Sequence, residues 1–177
     1  MLEKLRKAMK TADIDMLLIP SADPHGSEYP EEYFKARKHF SGFTGSAGTL
    51  LVWQGGAGLW TDGRYFLQAA RQLEGSGIDL FKMREPGVPT VNEFIAENIK
   101  GGVLGADLRT ISASEGMELE KGGAILKDCR SLIDGCWEGR PELSREPAYV
   151  LPAELAGVSA GDKLAAVRAE MAKCDAN

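Results

Sequence analysis

The sequence predicts an α/β domain in which a mixed β-sheet is flanked by helices, and three observations carry that expectation. Short apolar runs of strand length alternate with stretches whose apolar residues recur every three or four positions. A glycine-rich segment, Gln54 to Gly58, joins two such runs closely enough to pair them antiparallel, so the sheet is mixed. The chain has 177 residues, 44% of them apolar, which is enough to bury one sizeable core.

Leu2, Leu5, Ala8 and Met9 recur at helical spacing and predict a short amphipathic helix, with an apolar strand following at Asp15 to Pro20. Ser21 to Pro30, with Pro24, Gly26 and Pro30, reads as a loop leaving that strand. Glu31 to Phe40 predicts a helical turn or two with Tyr33, Phe34 and Phe40 turned inward. Thr49 to Trp53 and Leu59 to Thr61 are the strands of the hairpin. Asp62 then caps a helix whose inner face is Tyr65, Phe66, Ala69, Ala70 and Leu73, leaving Arg64, Gln68, Arg71 and Gln72 toward solvent or a cleft.

Ile78 to Met83 reads as another strand. Thr90 with Glu93 makes a capping box opening a helix to Ile99, and Val103 to Asp107 is the strand after it. Ser112 with Glu115 matches a second capping box, opening a helical stretch to Leu126 that carries Met117, Leu119 and Ile125, and Cys129 to Ile133 is expected to be the final strand. After Trp137, Gly139, Pro141, Pro147 and Pro152 punctuate a polar connection. The expected organisation is therefore a domain over 1–138, a linker over 139–158, and over 159–177 the first helix of a truncated second domain. Ser159 with Asp162 caps that helix, and Leu164, Val167, Met171 and Cys174 form a stripe that one helix cannot bury, so a partner beyond Asn177 is expected.

The 21 basic and 26 acidic residues leave a net charge of -5, which supplies no broad cationic surface for phosphates and excludes nucleic acid as an expected partner. Charges interrupt Met1 to Lys10 where an export signal would need an apolar run, and no apolar run approaches the roughly 20 residues that span a bilayer. No membrane association is expected. Three cysteines, Cys129, Cys136 and Cys174, without C-x-x-C spacing argue against a disulfide framework and a zinc site, and a reducing cytosol is the expected location.

Gly42, Gly45 and Gly48 form a G-x-x-G-x-x-G pattern that precedes a strand, whereas phosphate-binding glycine motifs follow one, so a tight turn against the sheet is the reading. Ser46 lies in Thr-Gly-Ser-Ala-Gly, where Thr44 replaces the first glycine of a nucleophile elbow, and no catalytic serine is expected. Metal-assisted hydrolysis needs converging carboxylates and usually a histidine. His25 and His39 are fourteen apart and form no H-E-x-x-H, and His39 sits in an aromatic amphipathic segment suited to packing. His25 lies in the polar loop Ser21 to Tyr29 at a strand end, where α/β proteins present functional groups, although a turn held by Asp23 and Ser27 hydrogen bonds is the preferred reading of that loop. Arg64, just after Asp62, could clamp a carboxylate or pair with a nearby acid.

Several of these segments, in order, resemble one family. Ser21 to Tyr29, Ser41 to Thr49, Trp60 to Ala70, Gly105-Ala106-Asp107, Trp137 with Arg140-Pro141, and Gly157 to Met171 are similar to the amino-terminal domain of the creatinase/prolidase/Xaa-Pro aminopeptidase family, most closely the three-domain Xaa-Pro aminopeptidases. The resemblance implies a creatinase-type first domain of mixed sheet and helices, non-catalytic by itself, that shapes the entrance to a cleft and in some members helps form a homodimer. The implied parent removes the N-terminal residue from peptides with proline in second position. It does so through two divalent ions, usually manganese, held in a later domain by two Asp, one His and two Glu. No segment here matches that ligand motif, so no metal or cofactor is expected in these residues. His25, Glu28 and Tyr29 of the Ser-Glu-Tyr loop and Arg64 of the Asp-Gly-Arg word are the candidate cleft residues, with no catalytic residue among them. The alternative is a non-catalytic peptide- or histone-binding module of the same fold.

Overall fold

Leu2, Leu5 and Met9 fall on one side of α1 (Leu2–Thr11) and all three are buried, because a stripe recurring every three or four residues is the part of a helix that can pack on a sheet. A computed structural model of the chain describes residues 1–176. They divide into two compact units, Met1–Leu143 and a second beginning at Ser144.

The first unit is built on six strands: β1 (Met16–Pro20), β2 (Thr49–Trp53), β3 (Gly56–Thr61), β4 (Asp79–Lys82), β5 (Val103–Ala106) and β6 (Ile125–Asp128), in the order β4-β3-β2-β1-β5-β6. β2 is antiparallel to β1 and β3, and the other pairings are parallel, so five strands point one way and β2 alone opposes them. β1 is an unbroken apolar run because both of its faces are covered. Met16 and Leu18 pack with Leu51, Trp60 and Leu104 against α4 (Val91–Ile99) and α5 (Ala113–Lys121). Leu17 and Ile19 pack with Leu50 and Leu59 against α1, α2 (Ala36–Ser41), α3 (Phe66–Gln72) and α6 (Arg130–Cys136).

The mixed sheet flanked by helices is the predicted fold, and the departures from the sequence reading are local. β3 begins at Gly56, so only Gln54 and Gly55 form the hairpin turn; Trp53 pairs with Gly56, and the bare backbone there leaves room for the Trp53 ring. Asp62 does not cap α3, whose N-cap is Tyr65; its carboxylate instead accepts the Arg64 backbone N–H one step earlier. Ala70 is exposed, and Tyr33 and Phe34, in a short 3₁₀ turn, are only partly buried. The Thr90–Glu93 capping box forms in full, while Ser112 accepts the Glu115 N–H. α5 stops at Lys121, which leaves Ile125 in β6. Cys129 to Ile133 is not a strand. Cys129, Ile133, Cys136 and Trp137 are buried at helical spacing, and the segment is the start of α6.

In the second unit, α7 (Ala153–Ala156) is a single turn and α8 (Ala160–Lys173) is capped by Ser159, which accepts the Asp162 N–H. Leu164 and Val167 are about half exposed at 53% and 56%. Among the described residues no helix is long and apolar enough to cross a membrane.

Candidate functional site

Five co-directional strands bring their carboxyl ends to one edge of the sheet, the edge where open α/β sheets hold ligands. Three of those strands run into the same small device: Asp62-Gly63-Arg64 after β3, Asp107-Leu108-Arg109 after β5, and Asp128-Cys129-Arg130 at the end of β6. In each, the aspartate accepts the arginine backbone N–H at 3.0, 3.1 and 3.4 Å, and accepts Nε of the same arginine at 2.9, 2.9 and 2.7 Å. The acid therefore turns the chain out of the strand and holds a guanidinium at the edge. Hydrogen bonds from the Arg64 side chain keep the Asp62 carboxyl below the usual carboxylate range, and Asp62 raises Arg64 in return.

Because β2 is antiparallel, it starts where β1 ends, and Pro20 pairs with Thr49. The loop leaving β1 and the glycine turn entering β2 thus emerge side by side. Ser21 joins them, its backbone N–H and hydroxyl donating to the Gly48 carbonyl at 3.0 and 2.7 Å. Asp23 shapes the loop by accepting the backbone N–H groups of His25 and Ser27, each at 2.9 Å, and the bond from Ser27 is the main cause of its lowered pKa. On the glycine turn, Ser46 Oγ lies 2.8 Å from the Tyr65 hydroxyl, which lowers the pKa of that phenol.

Two adjoining hollows result. One, of about 250 Å³, is lined by Glu28, Tyr29, Phe34, Arg37, Lys38 and Ser46 among others. The second, of about 400 Å³, shares Ser21, Glu28 and Ser46 with it and extends to Arg64. Glu28 therefore borders both, Tyr29 the first and Arg64 the second. His25 lines neither; it is exposed, and its main chain belongs to the Asp23 turn. His39 packs, its ring stacked on Trp137 at 4.4 Å, and burial lowers its pKa.

Arg37 is the lining residue that sequence reasoning missed. It is only 6% exposed, on the inner face of α2 with Ala36, Phe40 and Ser41. Nε donates to Ser21 Oγ at 2.8 Å and the terminal nitrogens donate to the carbonyls of Phe43 and Gly45, while the guanidinium lies 4.8 Å from the centre of the Phe43 ring. The turn carrying those carbonyls is closely packed at Gly45, where a Cβ would stand 2.3 Å from Phe43 Cζ and 2.8 Å from Tyr65 Cδ1. One signal was available in the sequence, since Arg37 falls three residues before Phe40 on the apolar side of its helix.

The acids at this edge do not fit a metal centre. Asp62, Asp107 and Asp128 are each occupied by an arginine, and among the described residues no three His, Cys, Asp or Glu side chains are placed to hold an ion. Cys129 and Cys136 are buried thiols whose pKa values burial pushes up, and Cys174 is exposed.

The family profile described as Creatinase/Prolidase N-terminal domain matches residues 1–136. A probable Xaa-Pro aminopeptidase P of Coccidioides posadasii (strain RMSCC 757 / Silveira) is 42% identical over 179 aligned residues, covering 97% of this chain and 29% of the relative. One from Tuber melanosporum (strain Mel28) is also 42% identical, over 96% of this chain and 29% of its own length. The chain thus spans under a third of the curated relatives it matches. The crystal structure of X-prolyl aminopeptidase from Caenorhabditis elegans, described as a cytosolic enzyme with a di-nuclear active site, superposes with a TM-score of 0.80 at 31% identity, over 98% of this chain and 31% of that one. The N-terminal domain of a cytoplasmic peptidase from Mycobacterium tuberculosis H37Rv, at 23% identity and a TM-score of 0.55, shares the fold.

Proposed function

Since the chain belongs to the creatinase/prolidase amino-terminal domain family, we propose that it is the non-catalytic first domain of a metal-dependent Xaa-Pro aminopeptidase. The observation that carries this reading is similarity along nearly the whole chain, at 31% identity and a TM-score of 0.80, to a di-nuclear X-prolyl aminopeptidase of which it covers 31%. In this reading residues 1–138 are the domain, 139–158 a connection, and α8 opens a second domain that buries its apolar stripe. The parent is a cytosolic enzyme that removes the residue preceding proline from peptide amino termini. Its two divalent ions, manganese by preference, sit in a later domain.

The first domain borders the entrance to the cleft through its carboxyl edge, with Glu28, Tyr29 and Arg64 facing substrate and His25 on the outer loop, and it contributes to a homodimer. The test is to assay the 177-residue chain and its parent side by side with an X-Pro peptide and manganese. Turnover by the parent and none by the chain is expected. Hydrolysis by the 177 residues alone would overturn the division of labour.

A further inference from the structure

The geometry points to a peptide-carboxylate subsite in the hollow between the Ser21 to Pro30 loop and the Phe43 to Ser46 turn, with Arg37 at its floor and Lys38 at its rim. Arg37 is buried, yet its three partners, the Ser21 hydroxyl and the Phe43 and Gly45 carbonyls, are all uncharged. Among the described residues no carboxylate pairs with it within 4 Å. A buried cation is ordinarily matched by an anion because desolvation penalises it, and here that penalty pulls the Arg37 pKa down to about 10, still fully charged at neutral pH. A guanidinium has five N–H donors in a fork matched to a carboxylate, and the three bonds use three of them.

The surroundings favour an anion of limited size. Lys38, exposed on the next position of α2, lines the same hollow. Ser46 and the exposed Thr44 add hydroxyls on the facing wall. Glu28 is the carboxylate on this rim, and it also borders the adjoining hollow that extends to Arg64. Lys35 also borders the space but is paired with Glu32. A volume of about 250 Å³ lies just below the usual range for small-ligand sites, roughly 300 to 1,000 Å³, and suits the last residue or two of a short peptide.

The choice of a peptide as the ligand rests on the aminopeptidase reading above; the carboxylate preference does not. The probe is the tripeptide Ala-Pro-Ala, as free acid and as C-terminal amide, titrated into the 177-residue chain and followed by amide NMR shifts. The acid should move Lys38 and Thr44 to Ser46 and bind about tenfold more tightly than the amide. Lys38→Glu, a change on an exposed side chain that spares the fold, should weaken the acid by a similar factor and leave the amide alone. Equal binding of acid and amide, shifts confined to other residues, or an indifferent Lys38→Glu would overturn the subsite. X-Pro hydrolysis by the parent can survive that result, so the two readings fail separately.

Discussion

The Arg37 guanidinium donates to the main-chain carbonyl of Gly45, and this bond ties the first turn of α2 to the glycine turn that feeds β2. With the bonds to Ser21 Oγ and the Phe43 carbonyl, one side chain fastens the loop after β1 to the turn before β2. Arg37→Ala leaves two buried carbonyls without donors and is expected to lower unfolding stability by about 3 kcal/mol in urea denaturation. Gly45→Ala drives a methyl into Phe43 and Tyr65, for a loss of about 2 kcal/mol through overpacking. A loss within about 0.5 kcal/mol for either variant would mean that the two segments are held by something else.

The second packing constraint lies under the sheet. A Cβ at Gly105 would stand 2.6 Å from Cys129 Sγ and 3.1 Å from Ile14 Cγ2, so Gly105→Ala should cost about 1 to 3 kcal/mol. Cys129→Ala removes the nearer obstacle, and the double variant should be more stable than the sum of the two losses predicts. Strict additivity in a denaturation cycle would show that the sulfur is not what sets the fit.

His39 supplies a pH dependence. Its ring lies against Trp137, and burial holds its pKa below the ordinary 6.5, so the unfolded chain binds a proton at that position more readily than the folded one. Stability from this group is therefore complete above about pH 6.5 and declines as pH falls toward the lower folded value. Denaturation midpoints taken from pH 8 to pH 5 should fall less in His39→Gln than in the unaltered chain. Parallel curves would place the titration elsewhere.

Much of this fold was legible in the sequence, and the misreadings have physical causes. β1 announces itself as an apolar run, and Thr90 with Glu93 marks the start of α4, because both signals are local. Cys129 to Ile133 reads as a strand in a five-residue window, whereas the helical spacing emerges only when Cys136 and Trp137 are counted with them. At the site, the loop residues and Arg64 follow from turn chemistry at strand ends. Arg37 does not, because its burial depends on carbonyls six and eight residues away that converge through a backbone turn rather than through side-chain pattern.

Arg64 is the sharpest test of the cleft reading. Its side chain is exposed and bonded through Nε and a terminal nitrogen to both Asp62 oxygens at 2.9 and 2.8 Å, an arrangement that holds the guanidinium at the rim of the second hollow. A solvent-exposed pair of this kind adds little to folding, so Arg64→Ala should leave the denaturation curve of the 177-residue chain nearly unchanged. In the proposed parent aminopeptidase the same substitution should raise KM for an X-Pro peptide while kcat stays close to its original value, because a group that positions substrate without touching the reacting atoms contributes to binding alike in the ground and transition states. Arg64→Lys keeps the charge but loses the fork, and should restore only part of the lost affinity. If KM and kcat are both unmoved by Arg64→Ala, the arginine serves only to close the Asp62 turn, and the carboxyl edge of β3 does not meet the peptide.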